Sequence, residues 1–191
     1  RLREEQRVGR YRQPRWTATR RFPTTRVYVV PEGKAEFEAW LRPTWKDDGT
    51  VEMRSLWELE FGLPHRFQLD LYLRTDQLLD PGGAAATQGQ QIEVRWAWAD
   101  WGRIWANPTL YMEWVNLYDQ PDKLEPKLLL GGQLAEGLHA GLNLVAELEL
   151  GGAREYEYEI TAGLSRTLVD GRVGLGAETR KITDSLDELG N

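Results

Sequence analysis

The residues best suited to chemistry in this chain are carboxylates spaced two apart. Glu147 and Glu149, then Glu155, Glu157 and Glu159, recur at every second position, roughly 7 Å apart along an extended chain. A pair of carboxylates at such a distance suits acid–base work on a glycosidic bond. The same repeat arises on any strand whose polar face meets water or a wet interior, and that reading requires no reaction. Other candidates are thinner. His65 and His139 sit at turns with no second histidine at ligand spacing, so no metal site is expected. Ser55 and Ser165 have no histidine nearby in sequence, which leaves a hydrolytic triad unsupported. Gly174-Leu175-Gly176 falls inside a strand pattern rather than between a strand and a helix, so it is no nucleotide fingerprint. Neither enzymatic activity nor a cofactor is expected.

The elements that carry those carboxylates are strands. From Leu142 to Leu150 and again from Glu155 to Leu164 the chain alternates strictly, with Gly151-Gly152 as hairpin chemistry between the runs. One face takes Leu142, Leu144, Leu148, Tyr158 and Ile160. The other takes Asn143, Glu147, Glu149, Glu157, Glu159 and Thr161.

The pattern repeats upstream. Ala35 to Arg42, Val51 to Phe61, Arg66 to Arg74 and Gln91 to Trp98 alternate in the same way, as do shorter runs from Leu110, Lys127 and Val173. Their polar faces add Glu52, Arg54, Glu58, Glu60, Asp70, Glu93 and Arg95. Their apolar faces add Trp57, Leu69, Leu71 and Trp96. Residues 75 to 90, with Pro81-Gly82-Gly83, are expected to form a long flexible loop. Nine antiparallel strands joined by local turns predict an all-β, up-and-down meander.

Composition leaves open which face meets water. No run approaches the 18 apolar residues of a membrane-spanning helix. Trp40, Trp45, Trp98, Trp101, Trp105 and Tyr118 cluster near strand ends, where the aromatic girdles of a membrane barrel lie. Charge is uneven. Residues 1–26 hold nine arginines against Glu4 and Glu5, leaving the remainder near −13 for a total of −6. That Arg-rich arm is expected to be a solvated lead-in, and the acidity of the rest argues against nucleic acid. The 27–191 segment is expected to be the barrel. Both termini are expected to be trimmed, or the chain to have been processed on entering its final compartment; with an odd strand count, either further strands are expected within it or the chain is expected to continue beyond Asn191.

Two stretches resemble a known family. Arg26-Val27-Tyr28-Val29-Val30-Pro31-Glu32-Gly33 leads into Ala35-Glu36-Phe37-Glu38-Ala39-Trp40. Glu58-Leu59-Glu60-Phe61-Gly62-Leu63-Pro64 and Leu69-Asp70-Leu71-Tyr72-Leu73 follow. Together they resemble the Gram-negative outer-membrane β-barrels grouped with the "MetA-pathway of phenol degradation" and related transporter-like proteins. The likeness covers residues 26–74.

The resemblance implies a transmembrane barrel of about a dozen strands that passes small molecules. Nine are visible here, and ten to twelve are expected in the complete protein. The polar faces named above would then line an acidic lumen, either open and favouring cations or neutral solutes, or plugged by its own ion pairs with Arg54, Arg95 and Arg166 neutralising neighbouring carboxylates. Trp57, Leu69, Leu71, Trp96, Leu144, Leu148, Tyr158 and Ile160 would face outer-membrane lipid. Two alternatives remain: a scaffold subunit with envelope protein partners, and a soluble lipocalin-like barrel that binds an apolar ligand.

Overall fold

Alternation with period two governs nearly the whole computed structural model, which describes residues 2–80, 83–118, 120–152 and 154–184. Two short bridging strands come first, β1 (Arg7–Val8) and β2 (Gln13–Pro14). Nine long strands follow: β3 (Ala35–Trp45), β4 (Val51–Gly62), β5 (Phe67–Asp80), β6 (Gly83–Ala97), β7 (Thr109–Leu117), β8 (Lys123–Ala135), β9 (Leu138–Glu149), β10 (Tyr156–Val169) and β11 (Val173–Thr183). The nine form one antiparallel meander in which every strand pairs with its sequence neighbours, and the sheet curls into a half-barrel. Because neighbours alternate in direction, β3 and β11 run the same way, and each leaves one edge unpaired within the described residues.

The expected loop at 75–90 is instead sheet. β5 and β6 stay in register from Phe67↔Trp96 to Asp80↔Gly83. Their small and polar residues have weak strand preference, but continuous backbone pairing with a long neighbour outweighs propensity. The expected turn residues Pro81, Gly82 and Asp119, and the tail beyond Asp184, lie outside the described residues.

The arm is not a solvated lead-in. Residues 2–34 cross the concave face of the sheet and bury Trp16 at 1%, Phe22 at 3% and Val29 at 0% exposure. Trp101, from the β6–β7 connection, meets Trp16 and Tyr28 edge-on at 5.6 and 5.2 Å.

A row of glycines makes room for the arm. Gly131, Gly141 and Gly163 are cross-strand partners on β8, β9 and β10. A Cβ at Gly163 would lie 2.6 Å from Phe22, and one at Gly131 would lie 2.4 Å from Val27. The next residue in that row, Glu178 on β11, accepts hydrogen bonds from the backbone N–H groups of Thr24 and Thr25. The sequence thus leaves a side-chain-free groove beneath the arm's apolar residues.

At one end the arm is held by a turn. Asp170, between β10 and β11, accepts from the N–H of Arg3 at 2.6 Å and of Glu4 at 3.1 Å. These bonds hold its carboxyl below the usual value. A lowered folded value stabilises the docked arm above the unfolded value, and that contribution fades as pH falls through the folded one. The protection factors of the Arg3 and Glu4 amides, relative to intrinsic exchange at each pH, should therefore fall as the pH is lowered below about 4. Asp170→Asn should remove that dependence.

Candidate functional site: the concave polar face

Strand register gathers acids from six strands into one line. Glu36, Glu60, Asp70, Glu93, Glu113 and Glu125 are successive cross-strand partners on β3 to β8. Like charges directly opposite one another destabilise a sheet unless cations intervene. Here they do. The adjacent line runs Gln68, Arg95, Tyr111, Lys127. Arg95 reaches Asp70 at 3.1 Å and also pairs with Glu93. Lys127 lies 2.5 Å from Glu125 and 3.9 Å from Glu113.

The arm supplies further positive charge. Arg20 pairs with Glu38 at 2.6 Å and Glu58 at 2.7 Å, and lies over the Trp40 ring at 4.4 Å. Glu58 also accepts from the Tyr72 hydroxyl at 2.6 Å. Gln68 links arm and sheet: its Oε1 accepts from Val30 N–H, and its Nε2 donates to Glu60 and Asp70. The centre of the acidic line is shut from solvent. Glu58, Asp70 and Glu93 are at most 1% exposed, and Arg95 is 3% exposed.

The expected polar-face residues do share one side of the sheet. Glu58, Glu60, Asp70, Glu93, Arg95 and Glu159 are buried. Glu147, Glu149 and Glu157 are half-buried, with Glu147 held by Lys123 at 2.5 Å. Glu52 and Arg54 lie on the same side beyond the arm and are exposed. Arg54 pairs with Asp76 at 3.0 Å.

On the convex side Trp57, Leu71, Trp96 and Leu144 are exposed, and Leu69, Leu148, Tyr158 and Ile160 half-buried.

Three assignments change. Arg166 pairs with Leu138 on the convex side and neutralises nothing inside, because it stands at the opposite parity to Thr161 and Ser165. Trp40 faces inward, where its Nε1 donates to Glu38, and is not a girdle residue. Trp101 also turns inward onto the arm. Trp45, Trp105 and Tyr118 remain highly exposed.

Two trios, Glu38/Glu58/Glu60 and Glu58/Asp70/Glu93, bring carboxylate oxygens within 4.8 Å of one another. A cation would suit either spacing. Arg20 and Arg95 already supply positive charge there.

The structure also joins residues that are far apart in sequence. Ser165 stands directly across from His139. Glu4 lies 3.8 Å from His139 Nε2, and the Trp16 ring covers the imidazole at 4.4 Å. Among the described residues, neither ring nitrogen nor the Ser165 hydroxyl has a hydrogen-bond partner. The three are neighbours without the hydrogen bonds of a proton relay.

No family model matches the chain, and neither a curated protein nor a solved structure matches it. The geometry of the two faces carries the functional reading.

Proposed function

We propose that this chain is wall and plug of a bacterial outer-membrane β-barrel, of the transporter-like kind that residues 26–74 resemble, which passes small molecules through a polar lumen. The observation that carries the proposal is the inverted polarity of the sheet. Charges fill the concave side, while Phe37, Leu41, Trp45 and Leu73 are 62–73% exposed on the convex side. In water such a face is an association site or a liability. In lipid it is the favourable arrangement, with a polar interior and an apolar belt. Strands of 9–15 residues meet the 9–11 needed to cross a bilayer.

Two features refine the proposal. First, free strand edges are not tolerated in hydrocarbon, so the sheet must close. Since β3 and β11 run the same way, antiparallel closure takes an odd number of further strands. A second copy in the same membrane orientation would give parallel seams. Second, the arm lies across the acidic interior and brings Arg20 and Arg26 into it, so the chain's own counter-charges occupy the lumen in this state. A filled lumen equally suits the scaffold reading. A lipocalin-like role fares worse, since the concave side offers an apolar ligand mostly charge.

Fractionation tests the proposal. The protein should sediment with outer membranes, require detergent for extraction and shift in gel migration on heating. Recovery in a detergent-free periplasmic extract would overturn it.

A further inference from the structure

Between the arm and the last hairpin lies a cavity of about 360 Å³. Its floor is backbone, because β11 presents Gly174 and Gly176 on the concave side. A Cβ at Gly176 would lie 3.0 Å from Ser165 Cβ, and one at Gly174 would lie 3.3 Å from Arg21 Nη1. Its walls carry four guanidinium groups, those of Arg15, Arg20, Arg21 and Arg172, against the single carboxylate of Glu4. Arg20 and Arg21 are committed to acids. Arg15 and Arg172 are exposed and form no ion pair among the described residues.

Uncommitted guanidiniums around a floor with no side chains make a pocket suited to an acceptor-rich anion. Arginine forks match tetrahedral and planar oxyanions in a way that lysine does not.

We infer that this cavity binds a small oxyanion, a phosphate group above all, held between Arg15 of the arm and Arg172 of the β10–β11 turn. The site does not depend on membrane insertion, so it stands or falls separately from the channel proposal. It would also place an anionic solute against the arm rather than against the acidic line on β3 to β8.

Calorimetric titration of the folded full chain with inorganic phosphate at pH 7 and constant chloride tests the inference. Saturable one-to-one binding is expected. Arg15→Gln and Arg172→Gln should each weaken it at least fivefold, and the pair at least twentyfold. Arg172→Lys should recover part of the loss. Arg103→Gln, an exposed arginine outside the cavity, should leave affinity unchanged. Acetate as a second probe should bind more weakly than phosphate; tighter acetate binding would overturn the assignment to phosphate. Absence of saturable binding of either ion, or equal losses in Arg103→Gln and Arg172→Gln, would overturn the inference.

Discussion

Arg20→Ala should detach the arm from the sheet at a cost of about 3–5 kcal/mol, the range seen when one partner of a buried ion pair is removed. Arg20 is 12% exposed and touches Glu38 and the almost fully buried Glu58. Alanine leaves Glu58 with the Tyr72 hydroxyl as its remaining close partner, and a buried carboxylate without a cation is strongly disfavoured. The ring of Trp40 loses the nearer of its two cations as well. Arg20→Lys should be intermediate, since one ammonium cannot copy a fork that reaches two acids.

The decisive comparison is a double-mutant cycle. If the penalty comes from the stranded charge, Glu58→Gln in the Arg20→Ala background should restore more than half of it. Proteolytic release of residues 2–34, followed against denaturant, reads the arm's docking free energy. Additive losses would show that Arg20 acts through packing alone. In a planar bilayer, the same weakened arm should raise conductance if the filled lumen is a resting state.

The strands were legible because period-two alternation is a local property, readable residue by residue. Even Ser165 facing His139 was within reach. The hairpin is centred on Gly152, and each of the two lies thirteen residues from it. Counting outward from the turn gives the pair, whereas distance in sequence hides it. The arm was not legible in this way. It contains two-residue bridges and short 3-10 turns with no period, and its burial follows from a complement elsewhere: Arg20 against Glu38 and Glu58, and Phe22 and Val27 against glycines on three strands. The opposed charges of the two segments were the available signal. Trp40 shows the limit of residue-type reasoning. Its position near a strand end suggests a girdle, but its even parity on β3 places it under Arg20.

Leu144→Arg separates a lipid-facing convex side from a wet one. Leu144 sits near the middle of β9, between Leu128 of β8 and Ile160 of β10, and is 41% exposed. In a bilayer, arginine near the midplane of the lipid face should cost about 2–4 kcal/mol, falling toward the ends of the strand. In water, the same change at a half-exposed surface position should fall within about 0.5 kcal/mol. Leu148→Arg, nearer the end of β9, should cost less than Leu144→Arg. Glu147→Gln keeps the size of a concave residue whose ion pair is with Lys123, and it should cost less than either. Unfolding from lipid vesicles measures all three. A ranking of 144 above 148 above 147, with the first in the stated range, is the signature of a side chain facing hydrocarbon. Equal and negligible costs at 144 and 148 would mean that the apolar side of this sheet meets water or another protein, and the barrel reading would fail with them.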